Sequence, residues 1–176
     1  MGFFANLKAK KAQKNNVEIL APVKGKLIET AKISDATFAE NLLGATVGIV
    51  PTDGHINCPI SGKVEIVHQA GHAFAIKHES GLNVMVHIGI DTVNMNMGKK
   101  EGQKLSGFDP KIKVGDMVVA GQIAIEADLA AIKKAKYETT TMTIVMDDEG
   151  LNGRKFELTA PVNANIDAGV KLGVVA

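Results

Sequence analysis

A chain of 176 residues, 45% hydrophobic and 22% charged, has enough apolar content for one globular core and shows no composition shift that would mark a second domain. A formal charge of +1 and 4% aromatic residues supply neither the bulk attraction nor the stacking surfaces of a nucleic-acid binder. The single cysteine, Cys58, excludes an internal disulfide and fits a reducing compartment, and no apolar run reaches the ~18 residues of a spanning helix, so a cytoplasmic protein is expected.

From the N-terminus, residues 1–16 read as a flexible basic tail, with Phe3, Phe4 and Leu7 followed by Lys8, Lys10, Lys11 and Lys14. A short helix there would offer transient contact with an anionic bilayer, although a frayed terminus is the plainer reading. Residues 17–176 form the domain. Within it Ala21-Pro22-Val23-Lys24-Gly25-Lys26-Leu27 echoes Cys58-Pro59-Ile60-Ser61-Gly62-Lys63-Val64, and Val118-Val119-Ala120-Gly121 more weakly echoes Ile166-Asp167-Ala168-Gly169. These echoes and the 18 glycines predict an all-β fold, an antiparallel β-sandwich built from a duplicated β unit of the barrel-sandwich or duplicated-hybrid type. Helix is confined to short turns around Ala36–Leu43 and Leu129–Ala135, the second with Asp128 placed to cap its first amides. Cys58, beside Pro59 in an apolar run, reads as a small buried hydrophobe.

The segments Gly71–Ile76 and Val84–Val93 are rich in small and branched apolar residues and flank His78-Glu79-Ser80-Gly81, a reversal signal. With those four residues as the loop, Lys77 pairs with Leu82, Phe74 with Met85 and His72 with His87. The two histidines then face each other on one side of the hairpin, with Ala73, Ala75, Val84 and Val86 on the other, and a slip of one residue would part them. Two adjacent imidazolium ions repel, so such a pair keeps at least one ring neutral near pH 7, free to act as nucleophile, base or metal ligand. One ring could attack a phosphoryl group while the other hydrogen-bonds it. On spacing alone, two hairpin histidines are more often ordinary half-exposed residues. Asp91 would complete a metal triad only if the chain turned sharply after Gly89, since four strand residues span about 13 Å.

These residues resemble the glucose-type enzyme IIA domains of the bacterial phosphoenolpyruvate-dependent sugar phosphotransferase system. The stretch His87-Ile88-Gly89-Ile90-Asp91-Thr92-Val93 is similar to that family's phosphorylation signature, and Gly71-His72-Ala73 to the segment carrying its second histidine. Asp35-Ala36-Thr37-Phe38-Ala39-Glu40-Asn41-Leu42-Leu43-Gly44, Pro51-Thr52-Asp53-Gly54 with the Cys58–Gly62 turn, and Gly107-Phe108 through Val114-Gly115-Asp116 to Asp128-Leu129 follow in the family's order. The resemblance implies a phosphotransferase component in which His87 accepts phosphate through Nε2 from the histidine-containing phosphocarrier protein and passes it to a cysteine of a sugar-permease IIB domain. It implies that His72 stabilises the phosphoryl group, that Asp35 and Asp91 are rim carboxylates, and that Phe38, Leu42 and Leu43 belong to the apolar surface contacting partners. It requires no cofactor, although His72 and His87 are candidate zinc ligands together with a partner's carboxylate, and it implies regulation of permeases or metabolic enzymes by the unphosphorylated protein.

Two departures stand out. Where the family often has threonine two residues before the supporting histidine, this chain has Ala70, so water or another group must orient His72. Between Val93 and Gly107 the connection, residues 94–106, is longer than usual and is expected to form a flexible basic loop beside the site.

Rival readings fall on single residues. Val114–Gln122 followed by Glu126-Ala127-Asp128 also resembles biotinyl and lipoyl carriers, but the place of their modified lysine holds Leu129. A zinc peptidase of related sheet architecture needs a third histidine two residues from another, and the flanking positions are Met85 and Gly89. A binding module without chemistry of its own is the remaining alternative.

Overall fold

The structure, a computed structural model, describes residues 16–176, so the tail expected at 1–16 lies outside the described residues apart from Asn16. Fourteen strands follow in chain order: β1 (Val17–Leu20), β2 (Gly25–Ile28), β3 (Gly44–Pro51), β4 (His55–Asn57), β5 (Gly62–Val67), β6 (Ala73–Lys77), β7 (Asn83–Ile88), β8 (Phe108–Pro110), β9 (Met117–Val118), β10 (Ile123–Ala127), β11 (Thr141–Met146), β12 (Phe156–Leu158), β13 (Asn165–Ile166) and β14 (Lys171–Val175). Two short helices, α1 (Ala36–Ala39) and α2 (Leu129–Lys134), interrupt them. An eight-stranded sheet runs β13-β2-β3-β11-β7-β6-β5-β9, and two three-stranded sheets run β1-β14-β12 and β4-β10-β8. The recorded strand pairs are antiparallel, as the all-β reading predicts.

The duplication is visible in that order. Read inward from its two edges, the large sheet repeats one plan: β13-β2-β3-β11 from one side and β9-β5-β6-β7 from the other. The echoed segments also bond alike. Cys58 donates to Gln122 O (2.7 Å) and accepts from Gly121 N–H (2.8 Å), while Ala21 donates to Val170 O (2.7 Å) and accepts from Gly169 N–H (2.9 Å). The two copies lock onto each other where Leu20 N–H reaches Pro59 O at 2.9 Å and Asn57 N–H reaches Pro22 O at 2.6 Å. Cys58 is fully buried, and burial raises its thiol pKa to about 11, which suits packing and not nucleophilic chemistry.

The main core lies between the sheets, where Ile19, Leu27, Ile49, Phe74, Ile76 and Leu82 have almost no exposure. A smaller cluster, Ile33, Phe38, Met142 and Ile144, packs α1 onto the opposite face of the large sheet. Strand β11 therefore buries both faces and reads as a nearly continuous apolar run, whereas β7 alternates buried and half-buried. Both helices are capped by aspartate: Asp35 Oδ1 accepts from Thr37 N–H (2.8 Å) and Asp128 Oδ1 from Ala131 N–H (2.9 Å). The first stops earlier than the expected Leu43. Asn41 adopts a left-handed φ of 56° and its side chain accepts from Thr46 N–H at 2.8 Å, which turns Leu42 and Leu43 out of the helix.

Candidate functional site

The β6–β7 hairpin is present, but its register differs by one residue from the expected one: Ala73 pairs with His87, Phe74 with Val86, Ala75 with Met85 and Lys77 with Asn83. The cause is the loop, which holds five residues and not four. His78 N–H closes on Leu82 O at 2.8 Å, and the fully buried Leu82 drops out of the ladder into the core. Ala73 and Ala75 consequently share the face of Met85 and His87, while Phe74, Ile76, Val84 and Val86 form the core face.

A one-residue slip should separate the histidines, yet their ring centroids are 4.7 Å apart with planes at 83°. Alternation of side chains holds only inside a strand, and His72 stands just before β6 in a bend entered through Gly71 at φ 81°. The backbone stays attached to the hairpin through Ile88 N–H to His72 O at 2.7 Å. The side chain is thus free of the pleat and swings onto His87.

His87 is the better defined of the pair. Its Nδ1 lies 2.9 Å from Gly89 O, and because a carbonyl can only accept, Nδ1 carries the ring proton and Nε2 keeps the lone pair. The turn that supplies this carbonyl is itself held: Gly89, at φ 79°, donates to Thr140 O (2.9 Å), and Ile90 donates to Glu138 O (3.1 Å). Phe38 covers the ring at a centroid distance of 4.9 Å. Burial lowers the His87 pKa, partly offset by the Gly89 bond and the charges of Asp35 and Asp91.

His72 is 4% exposed, and its Nδ1 has no hydrogen-bond partner among the described residues, which fits the absence of a hydroxyl at Ala70. Its pKa falls to about 3, first through burial and then through the charges His87 and His68 would carry. Neutrality therefore comes from desolvation ahead of mutual repulsion, and both rings are uncharged at neutral pH. Below the ordinary value of 6.5 the unfolded chain takes up a proton that folded His72 refuses until about pH 3, so stability falls as pH drops through that window. Unfolding free energy should decrease by about 2 kcal/mol between pH 7 and pH 5, and His72→Gln should flatten that slope. Urea unfolding midpoints at the two pH values check this, and an unchanged slope in the variant would refute it.

Two further residues enter the site without a sequence motif to announce them. His68, at the end of β5, stacks edge-on to His72 with centroids 4.5 Å apart and planes at 69°. Asn96, only 4% exposed, donates through Nδ2 to Ala70 O and Ser106 O, both at 2.9 Å, and accepts from Ser106 N–H at 2.7 Å. Gln69 adds a bond to Lys99 O at 2.7 Å. The long 94–106 connection is therefore stitched to the bend before His72. Asn96→Ala should cost about 2 kcal/mol of stability, because it strands one buried amide and two carbonyls. Chemical denaturation measures it, and a change below about 0.5 kcal/mol would contradict the role.

The remaining expected site residues are placed as follows. Leu42 and Leu43 are 64% and 38% exposed beside α1, Asp91 is exposed, and Asp35 is half-buried as the α1 cap. Phe38, by contrast, is 6% exposed and walls His87 from within. The chain does turn sharply after Gly89, with Asp91 at φ 58°, yet among the described residues no three His, Cys, Asp or Glu side chains converge to hold a metal. Leu129, where a carrier lysine would sit, is the first residue of α2 and not a hairpin tip. No helix among the described residues is long and apolar enough to cross a membrane.

Comparison with known proteins converges on one group. Residues 17–151 match the family model described as phosphoenolpyruvate-dependent sugar phosphotransferase system, EIIA 1. The chain is 30% identical over 165 residues to a glucose-specific EIIA component of Oceanobacillus iheyensis, covering 91% of this chain and 95% of that one. It is 39% identical over 137 residues to a glucose-specific EIICBA component of Mycoplasma genitalium, covering 76% of this chain but spanning only 15% of that longer relative. The glucose permease IIA of Mycoplasma capricolum has a similar solved structure, with a TM-score of 0.73 and 26% identity over 90% of this chain and 95% of that chain.

Proposed function

The chain belongs to the EIIA 1 family of the phosphoenolpyruvate-dependent sugar phosphotransferase system, and we propose that it is a phosphocarrier that accepts a phosphoryl group on Nε2 of His87 and hands it to a second protein. The observation that carries this reading is the Nδ1 to Gly89 O bond, which keeps the His87 lone pair on the outward nitrogen. In the forward step an N–P bond forms at that nitrogen as the donor's N–P bond breaks, and the imidazole of His72 lies close enough to hydrogen-bond the phosphoryl oxygens.

The donor is the histidine-containing phosphocarrier protein and the acceptor a cysteine of a sugar-permease IIB domain. Relatives named EIICBA support the pairing with a IIB domain. Exposed Leu42 and Leu43 supply an apolar docking patch with Asp35 and Asp91 at its rim. Docking on permeases or metabolic enzymes by the unphosphorylated form uses the same patch. A zinc ion would be held by His72 and His87 only with a partner's carboxylate, which a metal titration with and without that partner checks. Work of this kind places the protein on the cytoplasmic side, and the permease, not this chain, selects the sugar.

The test is incubation with phosphoenolpyruvate, enzyme I and the phosphocarrier protein. The chain should take up acid-labile, base-stable phosphate, and a wild-type chain that takes none would refute the carrier reading.

A further inference from the structure

We propose that His68 is a positioning residue for His72, doing by ring packing what a hydroxyl at position 70 would do by hydrogen bonding; the proposal rests on the phosphocarrier reading. Three imidazoles stand in a row, His68 against His72 at 4.5 Å and His72 against His87 at 4.7 Å, each pair edge-to-face. Among the described residues the middle ring has no polar tether on its buried Nδ1, so its torsion is fixed by the rings packed against it.

His68 is suited to that task because it is itself held. Its Nδ1 accepts from Ala70 N–H at 3.1 Å, its own N–H donates to Ala73 O at 2.8 Å, and its carbonyl accepts from Gly71 N–H at 2.8 Å. These bonds close the bend spanning residues 68–73 with the His68 ring laid across it. Asn96 pins the same bend from beneath through Ala70 O. His72 is therefore packed against both an anchored, exposed ring and the nucleophile, which restricts the turning of its own ring.

A residue that acts through His72 must show the signature of His72. The measurement is the ratio of onward transfer, to a IIB domain, over uptake from the phosphocarrier protein. His68→Ala should lower that ratio about three- to tenfold, as expected for loss of one edge-to-face contact. His68→Phe, which restores the ring packing but not the Nδ1 bond to Ala70 N–H, should recover part of it. The double variant His68→Ala/His72→Ala should be no worse than His72→Ala alone, because the contact is already gone. Far-ultraviolet circular dichroism and thermal unfolding of each variant establish that it is folded. An unchanged ratio in His68→Ala, a failure of Phe to restore it, or full additivity in the double variant would each overturn the proposal. A wild type that takes no label would instead refute the carrier reading, and His68's role with it.

Discussion

Replacing His87 with alanine is expected to abolish phosphoryl uptake, lowering it by at least about a thousandfold, because neither of the two other rings of the site, His68 or His72, has a carbonyl that fixes its Nδ1 proton and leaves Nε2 free. His72 is the obvious substitute and is a poor one. Among the described residues its Nδ1 has no acceptor to hold a proton, so neither tautomer is imposed, and the residue is 4% exposed where His87 is half-buried. In His87 the Gly89 carbonyl imposes one tautomer and leaves Nε2 available. The asymmetry between two rings in contact is thus set by one backbone carbonyl. His87→Gln serves as the second variant, since it keeps polar volume under Phe38 without a nucleophilic nitrogen. Rapid-quench labelling measures both, and uptake within tenfold of wild type in either would contradict the assignment.

His72→Ala is expected to behave differently, still taking label but passing it on about a hundredfold more slowly. The ring of His72 meets His87 edge-to-face at 4.7 Å in a site where burial keeps both neutral, so on the proposed reading its N–H is the nearby donor for charge on the phosphoryl oxygens during departure. Loss of one such donor costs roughly 10²–10³ in rate in comparable sites. Single-turnover chase of labelled protein with a IIB domain separates the two steps, and equal losses in uptake and chase would refute a role specific to departure.

Much of this was legible in the residues, for stated reasons. The echo of Ala21–Leu27 in Cys58–Val64 predicted a duplicated sheet, and the matched bonds of Ala21 and Cys58 are its physical content. Asp128 before an apolar run predicted a capped helix, and its carboxylate makes that bond. The hairpin was legible but its register was not, because Leu82 looks like a strand residue and acts as a buried loop plug. The expected register predicted the rings in contact, the observed one-residue shift would part them by strand alternation, and the contact survives only because His72 lies outside the pleat, a conformation that no apolar alternation encodes.

His68 and Asn96 were beyond reach for a related reason. His68 contacts His72 across a bend closed by hydrogen bonds, and four residues of separation carry no signal in an extended chain. Asn96 lies in the long connection that was expected to be loose, and only the folded bend gives its amide three partners. The sequence also pointed to the wrong leading cause of neutrality: adjacency suggested repulsion, whereas burial acts first on both rings.

The identity of the ring nitrogen that takes the phosphoryl group separates His87 from His72 as the acceptor. Proton–nitrogen correlation spectra of protein labelled with ¹⁵N-histidine, recorded before and after phosphorylation, report this directly. The prediction is a phosphorus-bonded Nε2 on His87 with the proton retained on Nδ1. Phosphorus on Nδ1 of His87, or on either nitrogen of His72, would contradict it.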